Sequence, residues 1–137
     1  EQVFETMRML RLSYPEAEQM FIRMVFNVLA RNCDDHTKNF AFLMDQNGKW
    51  TLSPAYDICY AYRPGSLWVS AQSLTVNGKR EGIDEADFLE VARQMNIKKP
   101  EDKITQVKSA VGRWGEFADE VGVDSALRDS IALTLLV

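Results

Sequence analysis

The chain is short of the residues on which several kinds of function depend. It has one histidine in 137 residues, which excludes a metal site built from several imidazoles. Its two cysteines, Cys33 and Cys59, are far apart and lack metal-ligand spacing. Two such thiols read as reduced cysteines of a cytoplasmic protein, not as a disulfide framework. No apolar run reaches the roughly 18 residues of a membrane span, and no signal peptide is visible. Basic residues number 16 against 20 acidic ones, for a net charge of −4 and a pI near 5.0. That balance provides no footprint for nucleic acid. Glycines are few, and none falls in a phosphate-cradling fingerprint. An initiator methionine is missing too. The chain opens at Glu1 inside an apparent helix, so a fragment of a longer protein is expected.

What the chain does have is apolar residues, 46% of the total, enough for the core of one domain over residues 1–137. Pro15, Glu16 and Glu18 mark a helix start, where proline fits the first turn and acids favour the positive end. Met20, Phe21, Met24, Val25, Val28 and Leu29 follow at helical spacing, so this helix is expected to run through the core to about Arg31-Asn32. Phe40–Met44 reads as a buried strand. Asn47-Gly48 is a turn signal, and Trp50–Leu52 returns as the partner strand. Residues 63–82 read as a loop with a turn at Asn77-Gly78. Asp84 caps a helix through Met95. Pro100 starts another, expected to continue to Val121 with a disruption at Gly112 or Gly115. Asp124 or Ser125 then caps a last apolar helix running to Val137. The fold class is mainly α with a small β-hairpin.

One constellation carries chemistry. Asp34 is followed by four residues and then Asn39, and Asp57 comes eighteen positions after Asn39, beyond the hairpin. The two polar motifs sit at the outer ends of one hairpin, so strand pairing brings Asn39 and Asp57 together. Phosphoryl transfer asks for such a set: one carboxylate to orient a hydroxyl, and an amide oxygen with a second carboxylate to hold Mg²⁺ against nucleotide phosphates. Asp34 is the candidate base or orienting group. A lone Asp after a helix is more often a cap, and the spacing is what outweighs that reading. His36 either meets the terminal phosphate or bonds backbone. Lys38 pairs with a phosphate, pairs with Asp34, or faces solvent. Asp35 is expected to serve structure. Arg63 and Lys79-Arg80 are either a site for an acidic partner or solvated surface.

The run Asp34-Asp35-His36-Thr37-Lys38-Asn39-Phe40, with Leu52-Ser53-Pro54-Ala55-Tyr56-Asp57-Ile58, strongly resembles the C-terminal domain of HipA-type serine/threonine kinases. These are toxins of bacterial toxin–antitoxin modules. Asn77-Gly78-Lys79-Arg80 is similar to a further family segment. The resemblance spans about Ala30 to Gly82 and, more loosely, the later helices. It implies a protein-kinase-like C-lobe with Asp34 as the catalytic residue and Asn39 and Asp57 as Mg²⁺ ligands. ATP is the implied co-substrate. The implied partners are a protein of the translation machinery, such as an aminoacyl-tRNA synthetase, and a small helix-turn-helix antitoxin. Two departures stand out. The family's N-terminal half, with its phosphate loop and nucleotide-contacting lysine, has no counterpart here, so the 137 residues alone are expected to be inactive. Ser70-Ala71-Gln72-Ser73-Leu74 also lacks a histidine that many relatives carry. Other readings are a non-catalytic interaction module, a metal-dependent phosphohydrolase and a small-molecule kinase of the aminoglycoside type. Few clustered acids count against the phosphohydrolase, and the Tyr56-Asp57 context favours the HipA-like kinase over the small-molecule kinase.

Overall fold

The helix expected from Pro15 organises the molecule. The computed structural model describes residues 2–137. In it this helix, α2, spans Tyr14–Leu29, after a short α1 at Gln2–Met9. Ser13 donates both its backbone N–H (2.7 Å) and its hydroxyl (2.6 Å) to the Glu16 carboxylate. The start is fixed there because those bonds occupy the free donors before the first turn, where Pro15 costs no hydrogen bond. Met20, Phe21, Val25, Val28 and Leu29 are buried along it. Fully burying each such side chain is worth about 1.5–3 kcal/mol. Their main neighbour is α4, Pro100–Gly112, through Ile104, Val107 and Val111, with Phe88, Val91 and Ala92 of α3, Glu85–Met95, joining the same cluster. The helix stops sharply. Arg31 adopts a left-handed φ of 58°, and the Asn32 N–H turns back to the Asn27 carbonyl at 2.8 Å. That reversal delivers the Asn32–Asn39 segment at the helix mouth.

The hairpin pairs β1, Phe42–Met44, with β2, Trp50–Leu52, in the register Phe42↔Leu52, Leu43↔Thr51 and Met44↔Trp50. Gly48, at φ 79°, makes the turn, and the Asp45 carboxylate accepts the N–H groups of Asn47 and Lys49. The strand is shorter and less buried than the sequence leads one to expect. Leu43 is 53% and Met44 58% exposed. Only Phe40, Phe42 and Leu52 pack on the core cluster, because no second layer covers the outer face of a two-stranded ribbon. Glu16 anchors the ribbon by accepting the Leu52 N–H at 2.7 Å. Arg23 does the same from the next turns of α2, donating to the Ser53 carbonyl at 2.9 Å.

The C-terminal third meets expectation at the disruption near Gly112 and differs at the end of the last helix. The helix from Pro100 breaks at Gly112–Arg113, and α5 resumes at Trp114–Glu120 with Gly115 inside it. The last helix, α6, is capped by Asp124, whose carboxylate accepts the N–H of Ala126 and Leu127. It covers only Ser125–Ala132 rather than running to Val137. Thr134 ends it by directing both its N–H and its hydroxyl at the Ile131 carbonyl, which closes the turn. The tail then returns to α2, where the Leu136 N–H bonds the Leu29 carbonyl at 3.0 Å. Among the described residues no helix is long and apolar enough to cross a membrane.

Candidate active site

Residues 31–40 leave α2 as a loop fastened on two sides. On one side the Ala61 N–H bonds the Arg31 carbonyl and the Cys33 N–H bonds the Ala61 carbonyl, both at 3.0 Å. On the other lies Asp35, buried at 5% exposure. Its carboxylate accepts the N–H of Ser73 (2.7 Å) and Leu74 (3.2 Å) and the Gln72 amide (3.3 Å). Burial pushes the Asp35 carboxyl above its ordinary range, despite the bonds from Leu74, Ser73 and Gln72 that favour its charged form. Gln72 is buried as well. Its amide also donates to the Asn32 carbonyl at 3.1 Å, and its oxygen receives the Cys33 thiol at 2.9 Å. Burial raises the Cys33 thiol pKa in turn, so the group serves as a neutral donor.

With Asp35 facing inward, Asp34 faces out. The Asp34 side chain is about half exposed, and the His36 Nε2 lies 4.0 Å from its Oδ1, beyond hydrogen-bond reach. The His36 Nδ1 is buried and has no partner among the described residues. A 3-10 turn at Thr37–Asn39 follows. The Lys38 side chain is exposed and forms no ion pair among the described residues. Its carbonyl accepts the Tyr56 hydroxyl at 2.7 Å, which ties the first motif to the second.

Asn39 donates its amide N–H to the Asp34 carbonyl at 3.0 Å. Because that partner is an acceptor, the amide orientation is determined, and Oδ1 is left for another group. Asn39 and Asp57 line one small cavity of about 10 Å³, together with Asn32, Asn27, Asp35 and Arg23. Asp57 sits in the left-handed region at φ 52°, a conformation that costs energy for a residue with a Cβ. The Asn32 amide reaches the Asp57 carbonyl at 3.4 Å and the Asn27 side chain at 3.0 Å. The neighbouring Cys59 thiol is raised by burial first and then by the Asp57 and Asp34 carboxylates, so both charges bear on one spot. Asp35, Asn27 and Phe40 also line a second, larger cavity of about 360 Å³ that opens beside Thr37 and Leu74.

Both side chains fit a hard cation. Asn39 offers a neutral oxygen and Asp57 a charged one, the oxygen set that Mg²⁺ takes when substrate phosphates and water complete its shell. Among the described residues there is no group of three or more His, Cys, Asp or Glu that would hold a metal unaided.

Several polar residues at this site carry no motif signal. Asn27 and Arg23 read only as part of a helix face. Gln72 reads only as one residue of the 70–74 run and has no signal of its own. The Lys79 ammonium is committed to Asp87 at 2.9 Å, and the Arg80 Nε donates to the Gln72 carbonyl. Residues 1–115 match the family model described as the HipA-like C-terminal domain. No curated protein and no solved structure matches the chain.

Proposed function

The chain belongs to the HipA-like C-terminal domain family, and from that membership we propose that it is the catalytic lobe of a cytoplasmic serine/threonine-protein kinase of the HipA toxin type. The observation that carries this reading is the shared cavity. Asn39, oriented by the Asp34 carbonyl, and Asp57, across the hairpin, line the same small space beside the half-exposed Asp34. The acceptor is a serine or threonine hydroxyl of a protein of the translation machinery, an aminoacyl-tRNA synthetase being one such protein. Asp34 receives that hydroxyl as a hydrogen-bond acceptor, orients its oxygen and takes its proton as the phosphoryl group transfers. Asn39 and Asp57 would hold Mg²⁺, which, bound with ATP, neutralises charge on the transferring phosphates. His36 stands beside Asp34, where an imidazolium would also favour developing negative charge. Donors for the remaining phosphate oxygens belong to an ATP-binding lobe outside these 137 residues, and a small helix-turn-helix antitoxin is the regulatory partner.

The test is Asp34→Asn in the full-length protein. The amide keeps the shape and removes both charge and proton acceptor, so radiolabel transfer from ATP should fall by at least about a hundredfold with the melting temperature retained. Near-wild-type turnover would sink the role given to Asp34, and absence of transfer by the unaltered full-length protein would favour a non-catalytic module that only binds its partner.

A further inference from the structure

Two arginines face a polar cavity that the proposed reaction does not use. The cavity holds about 230 Å³ between the end of α2 and the segment from Tyr62 to Ile83. Arg31, Arg80, Ser70, Gln72 and Glu81 belong to its polar wall, and none of Asp34, Asn39 or Asp57 lines it. Arg31 is held in place from two directions. Its backbone has the left-handed φ of 58° that ends α2, and its guanidinium stacks 3.5 Å above the Tyr62 ring. Stacking fixes the plane of the fork and satisfies no N–H. The Arg31 Nε is buried and finds no acceptor among the described residues. A buried donor on a charged group is costly to leave unpaired. Arg80 spends its Nε on the Gln72 carbonyl and keeps its terminal nitrogens. Neither arginine forms an ion pair among the described residues, although Glu81 stands on the exposed rim of the same cavity.

Two guanidinium forks, one of them rigid and short of an acceptor, suit a tetrahedral oxyanion, which offers several acceptor oxygens to planar donors. The volume falls below the roughly 300–1,000 Å³ of pockets for drug-sized ligands, which favours a small group. We propose that the Arg31–Arg80 cavity is a binding site for a phosphate-monoester dianion, either free phosphate or the phosphoryl group of a phosphoserine side chain. The Ser70 hydroxyl is a further donor on its wall. This inference is independent of the kinase reading, because it uses none of the same side chains.

The experiment titrates this chain with inorganic phosphate and, separately, with O-phosphoserine, against chloride at matched ionic strength. The readouts are the arginine Nε–Hε resonances and calorimetry. A saturable shift of the Arg31 signal is expected. R31Q and R80Q should each weaken binding by at least about tenfold, since each removes a charge-assisted fork. E81Q should strengthen it by removing the competing carboxylate. Tighter binding of O-phosphoserine assigns the site to a phosphorylated side chain, and tighter binding of inorganic phosphate to the free ion. Because Arg80 is exposed, R80Q keeps its fold even if R31Q does not. The proposal is overturned if no saturable shift occurs, or if R80Q binds phosphate like the unaltered chain.

Discussion

Asp87 and Asp35 are both buried carboxylates, and their surroundings send them in opposite directions. Burial pushes Asp87 up, but the Asp84 N–H, the Asn77 amide and the Lys79 ammonium outweigh it and hold the carboxyl down at about 2. A group depressed on folding adds stability above its ordinary value of 3.8 and loses it as pH falls towards 2. Asp35, raised by burial, works the other way, since its folded form takes up a proton more readily than the unfolded chain. Urea midpoints followed from pH 6 to pH 2 should therefore fall steeply only at the acid end, and Asp87→Asn should flatten that fall. An unchanged acid limb in Asp87→Asn would refute the assignment. Gln72 is the residue on which the loop closure turns. Gln72→Leu leaves the Asn32 carbonyl and one Asp35 oxygen without their donor, an expected loss of about 1–3 kcal/mol by urea denaturation.

Among the elements, α3 carries a capping residue at each of its ends. The Asp84 side chain accepts the Asp87 N–H at 3.2 Å, and Asn96 closes the far end in the left-handed conformation at φ 55°. Asp84→Ala removes the cap and should cost about 1 kcal/mol, read from urea melts. The hairpin depends on α2 instead. Glu16 and Arg23 hold its returning strand, and the bonds from Ser13 and Leu52 keep the Glu16 carboxyl below its ordinary value against the opposing effect of burial. Arg23→Met frees the Ser53 carbonyl and loosens the register between Asn39 and Asp57. In the full-length protein the Mg²⁺ requirement of the proposed reaction should then rise several-fold while the melting temperature moves little. A variant whose only defect is lost stability would show that Arg23 does not position the site.

At the scale of the whole molecule, the core from Phe4 to Val111 forms one buried cluster that ties α1, α2, α3 and α4 together. The 137-residue chain should therefore fold by itself. Catalytic competence is a separate matter. Phosphoryl transfer needs donors around the β- and γ-phosphates, and near the small cavity this chain provides His36, Lys38 and loop amides. With Asn39 and Asp57 as the two proposed ligands and no firmly held triphosphate, Mg²⁺ has little reason to give up its water. Calorimetry of the isolated chain with Mg·ATP should show no binding at micromolar nucleotide. Micromolar affinity would mean that the residues around Asn39 and Asp57 hold the nucleotide phosphates unaided.

The sequence by itself determined whatever depends on near neighbours. Asp84 and Pro100 set helix starts, Asn47-Gly48 and Asn77-Gly78 made turns, and the Asp34 and Asp57 motifs marked the family. Each is a matter of backbone preference or capping within a few residues, so each is legible in a short window. Tertiary structure decided the rest. Leu43 faces solvent because no layer covers the ribbon's outer face, and Met44, on the same face as Phe42, lies past the edge of the core cluster, facts about other elements rather than about the strand. The last helix ends at Ala132 as the tail turns back to α2. The roles of Asp35, Gln72 and the Arg31–Arg80 cavity come from contacts between residues some forty positions apart. Only a packed core fixes which distant donor meets which buried acceptor, and no local pattern encodes that choice.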